Sequence, residues 1–433
     1  MGIHGILVDK WRKAEVIDDY YDIIERLDGY ITQLAETADS PYLNWRSSKD
    51  LQKLFYDKYQ VMPVLSKTGR PTLNRAALEK IESYRITLTL PMIYLIKKIR
   101  ELQKRIDVLR TEVDRDGRMR TSYNIAGTTT GRFSSSLSEF GTGGNLQNIE
   151  ESLRSIFIAD PGMKLANFDA EQGESRIVGA IEWNLFGDST YLDACESGDL
   201  HTAVARICWP ELGWTGTLDI DRELAEQPYY RHYSRRFMCK KLGHGANYGG
   251  RAQTLSAETK TELPIVEEFC RNYHSAFPAH HRWHNWVEQR IAKSGKLTTL
   301  TGRLRHFFGR RDDHKVIREA IAYDPQGSLV DTVNQGMLKV WDSQYCQLLL
   351  QGHDSIVVQY PEEKEDELIP KILSLLEIEI PLNNRMLMIP YGCKTGWNWG
   401  EYGGSNPDGL KKYAPGDKRR RTPPVHVLDR KVR

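Results

Sequence analysis

The stretch KLANFDAEQGESR, residues 164–176, decides how this chain of 433 residues is read. Its first half reads as a buried strand that ends at an acid, Asp169. Gln172, Glu174 and Arg176 follow within seven positions, so several polar side chains gather at one strand-to-helix corner. Taken alone, Asp169 has two readings: an N-cap that satisfies the free N–H groups of a helix start, or a carboxylate presented to a ligand.

A second stretch, QLLLQGHDSIVVQY (347–360), reads as two apolar strands around a tight turn that displays His353, Asp354 and Ser355. Asp354 by itself could be only a turn residue, since Asp favours turns. A second acid on a neighbouring strand changes that. Two converging carboxylates, 185 residues apart in sequence, are a usual means of holding two Mg2+ about 3.5 to 4 Å apart for in-line phosphoryl transfer.

The third stretch is a basic helix, RRFMCKKLGHGANYGG (235–250). Arg236, Lys240, His244 and Tyr248 recur every four residues, so the stripe winds only about 40° per step and shares one broad face. Cations followed by an aromatic suit a triphosphate beside a stacked base; a solvated face is the plainer alternative. Gly243 and Gly245 each cost roughly 1 kcal/mol inside a helix, which hints at a close approach to the backbone or at a helix that moves.

Around these stretches the composition is that of a globular chain, with 40% hydrophobic and 27% charged residues and a mean hydropathy of -0.54. Disorder of the whole chain is excluded, and the length suits two to four compact units or one large enzyme body with lobes. The longest apolar stretch, Ile86 to Ile96, has eleven residues, against about 20 for a membrane-spanning helix. The N-terminus does not read as a signal peptide. Six widely spaced cysteines without a CxxC pair fit a reducing cytosol.

Sixty basic residues against 58 acidic give +2, but Gly404 to Arg433 holds nine Lys/Arg and three Asp, hence +6, and leaves -4 for the rest. That tail, with the run KRRR, has too little apolar content to pack and is expected to be a flexible basic arm. It would be either a solvated terminus or an aid to binding a polyanion.

Ile23, Ile24, Leu27, Ile31 and Leu34, and then Ile99, Leu102, Ile106, Leu109 and Val113, recur at helical spacing. They predict paired helices in an elongated lobe between about 20 and 115. Thr121 to Asn148 is turn-rich. A mainly helical region is expected from about 177 to 294, broken at Pro210, Pro228, Pro264 and Pro278. After it GKLTTLTGRLRHFF predicts a hairpin and EAIAYDPQGSLVDTVNQGMLKVW a helix. His274, His280, His281 and His284 cluster, but His281 stands where a zinc-protease helix needs Glu, so they are read as structural or solvated. GTGGN is no phosphate loop, because no GK[ST] follows.

The order TGRFSS...NLQNI, DAEQGESR, GDLH, RxxxKxxxHxxxYG, PQG, HDS and GWNWGE closely resembles the polymerase body of family A DNA polymerases, the group that includes bacterial DNA polymerase I and many phage replicases. Each motif alone is weak; seven in this order are specific. The similarity runs from about Gly5 to Tyr402.

The resemblance implies an α+β right-hand fold with an antiparallel-sheet palm, helical fingers and a helical thumb. The expected division is an N-terminal palm segment 1–20, thumb 21–115, palm 116–180, fingers 181–299, palm 300–402 and a basic flexible tail 403–433. It implies that Asp169 and Asp354, with the Ala170 carbonyl, hold two Mg2+ ions, with Mn2+ as a substitute. Gln172, His201, Arg236 and Lys240 would hold the incoming dNTP, and Lys240 would give a proton to the leaving pyrophosphate. Glu174 would crowd the sugar 2' position, and Tyr248 would occupy the template-base position before the fingers close. Arg132, Asn145, Gln147, Asn148, Arg154, Gln326 and His353 would touch primer-template DNA, several in the minor groove, where acceptors are nearly alike for every correct pair.

The departures are also specific. His244 stands where the family usually has Phe or Tyr, which bears on discrimination against dideoxynucleotides. HDS replaces the commoner HDE. An insert, SLSEFGTGG, separates FSS from NLQNI. About 20 residues before the thumb leave no room for a proofreading or 5' nuclease domain, so those functions would lie on a separate nuclease or replication protein, or elsewhere in a longer product. The expected enzyme is a template-directed DNA polymerase, monomeric and cytoplasmic, in a bacterial cell or in a phage's host, without a membrane partner. The alternatives are a single-subunit RNA polymerase-like enzyme and a catalytically idle DNA-binding subunit of a replication complex.

Overall fold

The computed structural model describes residues 1–84, 89–231 and 233–422. Its centre is a five-stranded antiparallel sheet built from β1 (Met163–Ala170), β2 (Gln347–Gln351), β3 (Ser355–Pro361), β4 (Tyr391–Gly396) and β5 (Lys411–Lys412), in the spatial order β2-β3-β1-β4-β5. The α+β class is as the sequence predicts. Side chains alternate across a strand, so Ala166, Phe168 and Ala170 enter one core with Ile356 and Val358. Asn167 and Asp169 face the other way. That second face is covered at one end, where Leu165, Leu349 and Val357 pack with Phe157 and Trp399, and is open at Asp169.

Helices α1 (Lys10–Thr37) and α2 (Leu90–Leu109) form a lobe of their own. Ile24 and Ile31 pack with Ile96, Ile99, Leu102 and Ile106, and Trp45, Leu51 and Phe55 fill the remainder. Asp9 caps α1 by accepting from the N–H groups of Trp11 and Arg12, both at 3.0 Å. The expected boundary at residue 20/21 thus falls inside one continuous helix. The core changes gradually along this helix: Val16 belongs with the N-terminal strand Ile6–Val8, Ile17 and Tyr20 pack against both cores, and Ile24 belongs to the lobe. The predicted seam holds through Leu109 and then stops. Val113 lies beyond the end of α2 and packs at the margin of the lower core.

The expected helical region comprises α3 (Gly173–Phe186), α4 (Leu200–Cys208), α5 (Arg235–Asn247), α6 (Leu263–Ala276) and α7 (Pro278–Ser294), with shorter helices between. Pro264 and Pro278 sit in the first turns of α6 and α7, where a missing N–H costs nothing. The hairpin Lys296–Thr298/Leu304–His306 leads to α8 (His314–Ser343), and α9 (Glu365–Leu376) covers the sheet beside it. Among the described residues no helix is long and apolar enough to cross a membrane, and all six cysteines are free.

Three expectations are corrected or sharpened. The flexible arm does not begin at 403. Residues 403–422 fold back onto the sheet: Lys411–Lys412 form β5, Leu410 is buried, and Thr422 donates to Asp408. The Arg419 guanidinium donates to the carbonyls of Gly409 (3.1 Å) and Thr395 (2.9 Å) and pairs with Asp417. Polar anchoring replaces the apolar content that the composition lacks; residues 423–433 lie outside the described residues. Gly245 is explained by packing, because a Cβ there would come 2.4 Å from Leu255 Cδ2, while Gly243 makes only ordinary contact with Tyr273. The histidine cluster is structural where it is buried: His280 pairs with Glu182, and His284 Nε2 bonds the Asn247 carbonyl at 2.8 Å.

Two outcomes are expected. Arg419→Ala should lower stability by about 1–3 kcal/mol, since it leaves carbonyl groups without their donor; an unchanged melting temperature would mean that this segment is not anchored as described. Asp324 accepts from the Leu300 N–H (2.7 Å) and the Ser328 hydroxyl (2.8 Å) and ties the hairpin to α8. Burial nevertheless raises its pKa to about 6. The folded state therefore binds more protons than the unfolded one between about pH 4 and that value, and Asp324 makes stability fall as pH rises through this window. Asp324→Asn should flatten that part of a stability-pH profile measured by denaturant unfolding.

Candidate active site

The two predicted acids meet on adjacent strands. Asp169 and Ser355 are partners in the β1/β3 register, and the Ala170 N–H donates to the Asp354 carbonyl at 3.0 Å. The helix-cap reading of Asp169 does not hold, because Gln172, in the left-handed region at φ 56°, is the residue that opens α3. Burial and then the neighbouring Asp354 push the Asp169 pKa up to about 6. Among the described residues no side-chain hydrogen bond or ion pair ends on either carboxylate. Nor do those residues form any group of three or more His, Cys, Asp and Glu placed as a metal cage. Two unpaired hard oxygen donors with the Ala170 backbone between them fit Mg2+, which is held by one or two carboxylates and fills its remaining positions with water and substrate phosphates.

Beside the acids, Gln172, His201, Lys240 and His244 line one pocket of about 200 Å³ with Tyr191 and Tyr273. The Gln172 Oε1 is buried there without a partner. Burial lowers the pKa of His201, opposed by Asp199 and reinforced by Arg236 and Lys240. Lys240 and His244 are exposed. Arg236 does not line this pocket and pairs with Asp199 at 2.8 Å. Glu174, in the first turn of α3, accepts from the Tyr248 hydroxyl at 2.6 Å and pairs with Arg132, with His244 Nε2 at 4.0 Å.

The expected DNA contacts are spread more widely. Arg154 lies over Trp399 at 4.6 Å and lines a cleft of about 400 Å³ with Asp169. Gln147 donates to Gln351 at 2.8 Å, and Asn145 accepts from Ser135. Asn148 and His353 are exposed, the latter next to Asp354 in the turn, and Gln326 is on α8.

Sequence reasoning missed two sets of residues. Asn167, Glu171 and Lys394 line the cleft with Asp169; the two-residue alternation of KLANFDA would have found Asn167 but not Lys394, which arrives from β4. Behind the pocket of about 200 Å³, Asn247 is buried, donates to the Tyr191 hydroxyl at 2.7 Å and accepts from the Tyr273 hydroxyl. Asn247→Leu should cost about 1–3 kcal/mol, because it removes a hydrogen-bond partner from each of two buried hydroxyls; an unchanged midpoint of urea unfolding would contradict this network.

The family model for "DNA polymerase family A" matches residues 15–401. The chain is 29% identical over 385 residues to DNA polymerase I, thermostable, of Thermus filiformis (83% of this chain, 42% of that protein). To the Thermus aquaticus protein of that name it is 28% identical over 381 residues, with the same coverage. To DNA polymerase I of Helicobacter pylori strain 26695 it is 27% identical over 357 residues (78% and 36%). It thus spans about two fifths of the length of these relatives. The fold matches a solved POL domain of Pol1 from M. smegmatis, in complex with DNA primer-template and dNTP, with a TM-score of 0.70 and 22% identity, over 91% of this chain and 67% of that one. The seven ordered motifs, the open-faced sheet with its acid pair and a model match over most of the chain place this protein in DNA polymerase family A, with the right-hand polymerase fold.

Proposed function

We propose that this chain is the polymerase body of a template-directed DNA polymerase, which adds dNTPs to a primer 3'-hydroxyl. The observation that carries this reading is the pair of unpartnered carboxylates, Asp169 and Asp354, on adjacent strands at the open end of the sheet, beside a pocket lined by Lys240 and His201. Its relatives are DNA polymerases I, and the similar domain from M. smegmatis was solved with primer-template and dNTP. The lobes are assigned accordingly: the sheet is the palm, α4 to α7 belong to the fingers, and α1 and α2 to the thumb.

Asp169, Asp354 and the Ala170 carbonyl would hold two Mg2+, which when bound would supply Lewis-acid activation of the 3'-hydroxyl and neutralise charge on the triphosphate. The remaining roles fall to side chains. Lys240 and His201 bind the triphosphate, Gln172 reaches into the same pocket, and Lys240 is the proton donor to the leaving pyrophosphate. Arg236 joins them by exchanging Asp199 for phosphate, and Asp199 keeps the His201 and Thr202 N–H groups, the Thr202 hydroxyl and Arg222 at 3.8 Å. Glu174, fixed between Arg132 and Tyr248, crowds the sugar 2' position and disfavours ribonucleotides. Tyr248 must leave Glu174 for the template base to enter, and His244 borders the sugar. Arg132, Asn145, Gln147, Asn148, Arg154, Gln326 and His353 line the path of the duplex.

The test is extension of a labelled primer on a template with Mg2+, comparing dNTPs with rNTPs. Template-dependent dNTP incorporation is expected, with a loss of at least about 1,000-fold in Asp354→Ala and Asp169→Ala, as for removal of a central electrostatic group. Full activity in Asp354→Ala would overturn the reading. Primer-independent rNTP synthesis would favour the single-subunit RNA polymerase alternative, and DNA binding without incorporation would favour an idle subunit.

A further inference from the structure

The match to the family model ends at residue 401, yet the chain beyond it reaches the catalytic face. Strand β5 pairs with β4 so that Lys412 stands directly across from Lys394 and Lys411 across from Thr395. Lys394 is in turn opposite Asn167 on β1. Directly opposed residues share a face of the sheet, so Lys412, Lys394, Asn167 and Asp169 all look into one cleft, which Arg154 also lines. Strands are about 4.8 Å apart, which places the Lys412 backbone roughly 10 Å from β1, within reach of a flexible four-carbon side chain.

Like charges placed directly opposite each other on a sheet are unfavourable. Lys394 is offset by an exposed pair with Glu401, but such pairs contribute little in water. Lys412 is exposed, and among the described residues no hydrogen bond or ion pair ends on it. Lys411 shows the contrast: it points to the other face and lies over Tyr402 at 5.3 Å. The pairing therefore places Lys412 and Lys394 together in a cleft that Arg154 and the carboxylates of Glu151, Glu171 and Glu401 also line; among the described residues only Lys394 of these three cations pairs with a carboxylate, so Lys412 and Arg154 are open to a bound anion.

We propose that the segment 402–422 completes the catalytic cleft, and that Lys412, with Lys394 and Arg154, holds a backbone phosphate of the primer strand near its 3' end. This rests on the polymerase reading above. The pocket that would take the triphosphate is a separate one, lined from α3, α4 and α5 and without any of these three cations, so the anion assigned to this cleft is a phosphodiester and not the nucleotide.

The experiment measures affinity for a recessed primer-template by fluorescence anisotropy across a salt series, and KM for dNTP by primer extension, in the full chain with Lys412→Glu, Lys412→Gln and Lys411→Glu. Lys412→Glu should weaken primer-template binding about tenfold at low salt. Lys412→Gln should reduce the salt slope by about 1, the loss of one phosphate contact. Lys411→Glu should change affinity much less, and KM for dNTP should stay unchanged throughout. Equal effects of Lys411→Glu and Lys412→Glu would reduce the site to general surface charge and overturn the proposal. A raised KM with unchanged DNA affinity would assign the phosphate to the nucleotide and overturn it too. Failure of the polymerase reading is distinguishable: the wild-type chain would incorporate nothing, whereas the anisotropy series would still report whether Lys412 holds DNA.

Discussion

Seven residue pairs, from Ser355 opposite Asp169 to Pro361 opposite Met163, hold β3 against β1, and the site exists because of this register. The two acids repel each other, and burial adds to the cost of charging Asp169. What keeps them together is the opposite face of the same strands, where Phe168, Ile356 and Val358 are wholly buried. Burying side chains of this size contributes about 1.5–3 kcal/mol each. A slip of one residue would turn Phe168 outward and Asp169 into the core, so hydrophobic burial on one side of the sheet enforces an unfavourable arrangement of charge on the other.

Two of the cations near the site are held by anions of the protein itself. Arg236 rests on Asp199 and Arg132 on Glu174, both partly buried, so that each pair can open only when another anion or donor takes the vacated place. Beneath the pocket, Asn247, Tyr191, Tyr273, His280 and Glu182 form a buried polar chain that links α3, α5, α6 and α7. Such a network fixes the end of α5, where Tyr248 sits, by directional bonds as well as by packing.

Much of this was legible in the sequence, for reasons that are local. Apolar runs stopping at an acid marked β1 and the hairpin of β2 and β3, and helical spacing marked α1 and α2 up to Leu109. What escaped depends on distant partners. Gly245 looked like a place for a ligand, but the neighbour it makes room for is Leu255, ten residues on in a separate helix. The basic C-terminal segment looked unable to pack, because its anchors are carbonyl groups of Thr395 and Gly409 that composition does not reveal. Lys394 could not be placed beside Asp169 until β4 had been placed beside β1.

Helix α1 has a mechanical consequence. Its 28 residues make a rod of about 42 Å, whose base lies in the core with Ile6 and Val8 and whose upper turns lie in the lobe core with Ile31 and Ala35. A continuous helix transmits rotation and does not absorb it. Any swing of the lobe is therefore delivered to the three-residue strand Ile6–Val8, which is clamped between Arg118–Met119 and Phe157–Ile158. A tilt of about 10° at this pivot would carry the far end of the rod roughly 7 Å. The lobe is geared to the floor of the molecule as a lever is to its fulcrum, and it is held there at two points, the base of α1 and the end of α2, where Leu109 enters the same core.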